Sequence, residues 1–167
     1  MPEHVCAMDQ GTPGTRSDIF DRSGHLVSLA CKEHTRTFLR PGWVEHDPVE
    51  IWQRTRKVMK ETLDRGGIGP GDLSSIGVAS QGETILLGDR RTGNPIHNAI
   101  VWQCRRTVDM CGELTREGFA EIIRERTGLV LDPCFSDTRT GGPWTTLTGR
   151  EEGRRTGLSQ RIDGGSH

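Results

Sequence analysis

The sequence predicts an α/β domain, and three observations carry that reading. Short apolar runs near the front end in glycine turns, as strands do. A capped amphipathic stretch follows at about residues 48–65. Further apolar runs and helical stretches then alternate up to about residue 136. The 167 residues suffice for one domain.

The first run, His4-Val5-Cys6-Ala7-Met8, reads as a buried strand entering the turn Asp9-Gln10-Gly11-Thr12. Ser17 to Asp21 is a second strand, Arg22-Ser23-Gly24 a turn and Leu26 to Ala30 a third strand. The expectation is an antiparallel meander over residues 4–32 that opens a mixed sheet. Asp47 then caps a helix with Pro48 at its first position, and Glu50 can complete a capping box. Val49, Trp52, Met59 and Leu63 recur at helical spacing and predict the buried face, and Gly66-Gly67 ends the helix. Ile76 to Ala79, Ile85 to Leu87 and Ile100 to Trp102 read as strands, with a hairpin-like turn at Arg91 to Pro95. Helices are expected over about 105–114 and 119–126.

Composition narrows the function. Hydrophobic residues make up 32% of the chain and glycines number 22, which fits a real core diluted by a weakly folding segment. A net charge of −1 gives no pull toward nucleic acid or acidic membranes. No long apolar stretch or signal-peptide core is present, so the expected compartment is the cytoplasm. The five cysteines form no C-x-x-C pair and predict neither a disulfide framework nor a zinc site. After Ser136 the periodicity is lost. Residues 137–167 carry few large apolar side chains (Trp144, Leu147, Leu158 and Ile162 among them) and are expected to form no packed core.

Four runs hold residues that could do chemistry. Asp9 to Arg16 ends a strand in a glycine turn. A carboxylate there can hold Mg²⁺ through water, backbone N–H groups can approach a phosphate, and Arg16 offers a charged fork. It lacks the G-K-[ST] ending of a Walker loop, and by itself it is more simply a hairpin. Gln81-Gly82-Glu83-Thr84 ends another strand; its carboxylate can accept polyol hydroxyls, or it can be a solvated loop acid. Pro41 to Pro48 reads as a turn, a buried aromatic and a helix cap, with no chemistry assigned to His46. Trp102 can stack on a sugar or polyol or sit in the core, and Arg105 and Arg106 open a helix with a solvated or ion-paired face.

Taken in order, these runs resemble the FGGY family of sugar kinases that includes the glycerol kinases. That family opens with Asp-Gln-Gly-Thr-Thr-Ser-Ser-Arg, against Asp9-Gln10-Gly11-Thr12-Pro13-Gly14-Thr15-Arg16 here. Pro41 to Pro48, Asn98 to Thr107 and Thr127 to Ser136 are similar to glycerol kinases in particular. The resemblance covers residues 1 to about 136 and implies an actin-like, ribonuclease-H-like fold. It implies ATP and Mg²⁺ as cofactors, glycerol as substrate and sn-glycerol 3-phosphate as product, with a homo-oligomer possible. Asp9 would organise Mg²⁺. Thr12, Pro13, Gly14 and Arg16 occupy the positions that contact the nucleotide's phosphates. Gly82, Glu83, Trp102 and Cys134 occupy those of the polyol pocket.

Three positions depart from the family's pattern. Pro13 removes a backbone donor and a hydroxyl, Gly82 removes a guanidinium, and Cys134 stands where the family has Tyr. Losing a charged hydrogen bond of about 1.5–3 kcal/mol weakens binding roughly tenfold or more. By the same resemblance the general base and second domain lie beyond residue 167, so no catalytic residue is assigned. The abrupt change after Ser136 is expected to mark a frameshift, and this chain is expected to be inactive alone. The alternatives are a kinase of another polyol or sugar, and a non-catalytic remnant that binds weakly.

Overall fold

A computed structural model describes residues 3–141 and 156–157. The tail residues 142–155 and 158–167, including Trp144, Leu147, Leu158 and Ile162, lie outside the described residues. The chain divides into two compact units, and each is described by itself.

The first unit holds residues up to Thr35 and Asp47–Gln81. β1 (His4–Gln10), β2 (Gly14–Phe20) and β3 (Leu26–Glu33) form the expected meander. β6 (Leu73–Ser80) joins β1 in parallel, so the sheet is mixed with order β3-β2-β1-β6. The register pairs Cys6 with Ile19 and Met8 with Ser17, so these four share one face.

α1 (Pro48–Gly66) packs mainly across β2 and β3. Asp47 caps it by accepting the Val49 N–H at 2.8 Å, and Gly67, at φ 63°, ends it in the left-handed region. Two helix expectations are corrected. Glu50 does not close a capping box, because its carboxylate accepts Thr35 N–H and Oγ and the Arg54 guanidinium. The buried face is not that of Val49 and Trp52, which are exposed, but that of Val58 and Thr62.

The reason is the chemistry of the seam. Thr62 Oγ1 donates to Val58 O at 2.8 Å within its own helix and lies 3.3 Å from Ser17 O, while Ser28 Oγ donates to Thr62 O at 2.9 Å. Small hydroxyl side chains, each satisfied, let the helix lie close to the strands. An apolar-only pattern cannot find such a face.

The second unit holds Arg36–His46 and the residues from Gly82 onward. β4 (Arg36–Thr37), β5 (Glu45–His46) and β8 (Ala99–Ile100) make a small antiparallel sheet. The expected strand at Ile85 to Leu87 is reduced to a bridge between Ile85 and Ile100, with β7 (Gly88–Asp89) following and pairing with β9 (Thr156–Gly157). Leu87, Ile100 and Cys104 pack together against Trp43.

α2 (Val108–Arg116) starts three residues later than expected, because Arg105 and Arg106 belong to the preceding turn. There the Arg105 N–H donates to Gly42 O at 2.7 Å. α3 (Phe119–Thr127) lies where expected. α4 (Ser136–Gly141) does not: a helix crosses the point where helical periodicity ends in the sequence. All five cysteines are free. Among the described residues no helix is long and apolar enough to cross a membrane.

Candidate functional site

The phosphate-turn candidate sits where β1 passes into β2. The antiparallel register sets Asp9 opposite Arg16 and Gln10 opposite Thr15, and the Gly11 N–H donates to Gly14 O at 3.0 Å. Pro13 O accepts the His34 N–H at 2.8 Å, which ties the turn to the end of β3. Beneath it lies a polar cluster. Thr15 Oγ1 and Thr55 Oγ1 both donate to Gln10 Oε1, at 2.7 and 3.0 Å, and Gln10 Nε2 lies 2.8 Å from His34 Nε2. Burial pushes the His34 imidazole below its ordinary pKa, which keeps it a neutral acceptor for this cluster.

Each predicted residue of the turn now has a place. A Cβ at Gly11 would stand 3.3 Å from Gly14 O, so glycine there lets the turn close tightly, and Asp9 is exposed at the sheet rim. Such an open single carboxylate fits a Mg²⁺ ion that keeps most of its waters. Arg16 is held by Asp18, both of whose oxygens accept Nε–H at 2.9 Å, and this bond raises the guanidinium's pKa. Thr12 is half-buried and Pro13 exposed.

Gly14 has a structural requirement of its own. A Cβ there would stand 2.4 Å from Lys32 O and 2.9 Å from Glu33 Cα, so only glycine lets β2 approach β3 at this point.

The polyol candidate lies in the second unit. Gly82 and Glu83 both have positive φ, 50° and 48°, and Glu83 is the sole non-glycine residue of that kind among the described residues. The sharp reversal is held from the far end of the sequence. Glu83 Oε2 accepts the Ser136 N–H and Oγ–H, each at 2.7 Å, at the first residue of α4. A carboxylate at a helix start is favourable both as a hydrogen-bond acceptor and against the helix dipole.

Arg139 completes the hold. Its side chain has no exposed surface, and its guanidinium donates to the carbonyls of Glu83, Cys134, Val101, Ile100 and Phe135. Three of the predicted positions are thereby gathered: Glu83 and Cys134 directly, and Trp102 through the preceding Val101. Burial lowers the pKa of Arg139 and raises that of the Cys134 thiol. Asp132 Oδ1 accepts the Cys134 N–H at 2.8 Å and fixes that loop.

Glu83 Oε1 takes no hydrogen bond among the described residues, and Thr84 Oγ1 is out of solvent without a partner. Of the two, the Glu83 oxygen is the open site for a hydroxyl, its side chain being 45% exposed, whereas the Thr84 hydroxyl is enclosed. Trp102 remains 39% exposed, which suits a stacking surface better than a core position. A cavity of about 360 Å³ between α2, α3 and residues 129–136 has Glu83 on its lining, but not Gly82, Trp102 or Cys134.

Sequence reasoning missed Ser136 and Arg139 as supports. It also gave Arg106 a solvated or ion-paired helix face; Arg106 is ion-paired, but buried and outside the helix. Arg106 Nη2 donates to Glu45 Oε1 at 2.6 Å, with the two side chains 2% and 1% exposed, and its guanidinium lies 4.1 Å from the Trp43 ring centroid. Asn98 Nδ2 donates to Glu45 Oε2 at 3.2 Å. The runs Pro41 to Pro48 and Asn98 to Thr107 are thus two sides of one buried ionic contact.

Comparison with known proteins gives these features a lineage. Residues 4–140 match the FGGY family of carbohydrate kinases, N-terminal domain. Glycerol kinase 2 of Thermotoga maritima is 50% identical over 137 residues, which is 82% of this chain and 28% of that protein. The glycerol kinase of Caldanaerobacter subterraneus is 48% identical over 139 residues, again 28% of its length. This chain therefore spans under a third of the curated relatives it matches.

Among solved structures, the Plasmodium falciparum glycerol kinase with ADP superposes with a TM-score of 0.78 at 28% identity, over 90% of this chain and 30% of that one. A ligand-bound xylulose kinase from Lactobacillus acidophilus, with TM-score 0.77 and 19% identity over 91% of this chain and 29% of that one, shares the fold. The mixed sheet with flanking helices is thus the actin-like fold of these kinases, and the chain belongs to the FGGY family of carbohydrate kinases, whose N-terminal domain its residues 4–140 match.

Proposed function

We propose that this chain carries the front portion of a glycerol kinase, an enzyme that transfers the γ-phosphoryl group of ATP to glycerol. The observation that supports it most is the 50% identity to a glycerol kinase over 137 residues, together with a Glu83 carboxylate held by Ser136 and open at Oε1. The ADP bound by the Plasmodium relative supports the nucleotide.

In this reading the turn at Asp9 to Arg16 receives the phosphates. Asp9 would hold Mg²⁺ through water, and that ion supplies charge neutralisation on the phosphate oxygens when bound. Arg16 adds a fixed positive charge, kept in place by Asp18. Glu83 Oε1 accepts a glycerol hydroxyl, and Trp102 offers its exposed ring to the carbon chain. No general base is assigned within these residues, and phosphoryl transfer depends on positioning across a complete site. Localisation in the cytoplasm and assembly into a homo-oligomer belong to the same proposal.

A second reading, a non-catalytic remnant, is favoured by Gly82 and Cys134, which leave Glu83 without the guanidinium and phenol of the family's grip. A coupled assay for glycerol-dependent ADP formation, run beside calorimetric titration with glycerol and with Mg-ATP, separates the two. Turnover would sink the remnant reading. Binding without turnover supports a site-bearing fragment, and silence to both ligands defeats the kinase reading for this chain. The Gly82→Arg/Cys134→Tyr variant is expected to gain at least tenfold in glycerol affinity.

A further inference from the structure

The turn between β1 and β2 has two stems, and one side chain touches both. Gln10 is the last residue of β1, and Thr15 is the second of β2. His34 follows directly on β3. Its Nε2 lies 2.8 Å from Gln10 Nε2 and 3.0 Å from Thr15 Oγ1. The same residue's backbone N–H donates to Pro13 O within the turn, at 2.8 Å. Ring and backbone together thus clamp residues 10–15.

The clamp fits one protonation state. Gln10 Oε1 accepts the Thr15 hydroxyl at 2.7 Å, which turns the Gln10 amide N–H toward His34. The facing ring nitrogen is then the acceptor, with the ring proton on Nδ1. A second proton, on Nε2, would set donor against donor at 2.8 Å. Turning the Gln10 amide over only moves the conflict, because the Thr15 hydroxyl would then lose its acceptor. Thr15 is 1% exposed, so water cannot replace that bond. Nor can Thr15 swing aside cheaply, since at the adjacent Gly14 the strands lie too close for any Cβ. The relief left is for the turn to move off the ring.

The charged groups around the ring leave burial in control. Glu50 and Arg54 face it from α1 and are paired with each other at 2.8 Å. Lys32, two residues before it on β3, is held by Glu61 at 3.4 Å. Asp9, Arg16 and Glu33 alternate onto the other face of the sheet. Burial, the largest influence, lowers the ring's pKa from the ordinary 6.5.

We propose that His34 is a positioning residue for the phosphate turn, which it holds in binding shape only while its ring accepts the Gln10 N–H. The ligand in this inference rests on the reading of the turn as a phosphate site; the coupling of ring to turn does not. Nucleotide affinity should therefore fall as the ring takes up its proton.

NMR on the unaltered 167-residue chain, from about pH 7.5 down to about pH 5, tests the coupling. The carbon-bound ring protons of His34 and the amides of Gly11, Thr12 and Gly14 are expected to shift with one common midpoint below 6.5. His34→Gln offers Gln10 an amide oxygen at every pH, so its turn amides should hold still over that range. Calorimetric titration with Mg-ATP reads the consequence. One pH unit below the midpoint only about a tenth of the rings are neutral, so affinity should fall about tenfold more than in His34→Gln, which corrects for the nucleotide's own titration. Turn amides that stay put while the ring titrates would overturn the proposal. So would a ring that remains neutral until the chain unfolds, or equal losses of Mg-ATP affinity in parent and variant. Turn amides that follow the ring without Mg-ATP binding at any pH would support the clamp and defeat the phosphate reading. The amide reading needs no variant, so it decides the coupling even if His34→Gln fails to fold.

Discussion

The two units bury polar groups in opposite ways. In the first, the seam between α1 and the sheet is made of hydroxyls: Thr62 and Ser28, each satisfied by nearby carbonyls. In the second, the buried groups are charged: Glu45 against Arg106, and Arg139 among backbone carbonyls. A hydroxyl that loses its partner costs little. A buried charge that loses its partner costs several times more, since it can neither reach water nor relax locally. The unit with Asp9 is therefore tolerant, and the unit with Glu83 is brittle.

Breaking the ionic contact should give the largest effect. Arg106→Met leaves Glu45 buried and unpaired and is expected to cost about 3–5 kcal/mol in urea unfolding. Adding Glu45→Gln should recover part of that loss. If Arg106→Met costs no more than a hydroxyl deletion in the first unit, the contrast between the units fails.

Gly14→Ala comes next. Its Cβ would overlap Lys32 O, and overpacking of this kind costs about 1–3 kcal/mol. A smaller penalty would show that the turn at residues 11–14 shifts freely. Thr62→Val removes one donor from the hydroxyl seam and is expected to cost about 0.5–1.5 kcal/mol, read from the same unfolding curves.

The smallest effect is a pH dependence in the first unit. His34 is held below its ordinary value of 6.5 by burial, so the unfolded chain binds more protons than the folded one in mild acid. Stability from this group is present above pH 6.5 and declines as pH falls toward the lower folded value. Thermal unfolding followed over that range should show the decline, and His34→Gln should flatten it. A first unit that gains stability on acidification would rule this account out.

The same contrast explains what the sequence made legible. The meander and the start of α1 follow from local signals: short apolar runs that end in turns, a capping Asp47 and the prolines and glycines at the ends. The buried face of α1 stayed hidden because Thr62 counts as polar until its hydroxyl is seen to bond its own helix. Of the candidate site, Glu83 stood out as a carboxylate at a strand end, Cys134 came from the family resemblance alone, and the structure gathers them around one guanidinium. That guanidinium was not readable. Arg139 reaches back 56 residues to Glu83, and Arg106 reaches 61 residues to Glu45, with no local pattern to mark either. α4 is missing from the periodicity for the same reason: its first turn is held by Glu83, not by an apolar stripe.

Arg139 has one more consequence, for proteolysis. Trypsin must draw an arginine side chain into its own pocket before it can cut. The exposed loop residues Arg40 and Arg91 can be offered at once, whereas Arg139 must first release five carbonyl groups. Scission after Arg139 thus waits on local opening of the loops that its guanidinium ties together. Its rate in a limited digest measures how often Glu83, Val101 and Cys134 come apart, without any label or ligand.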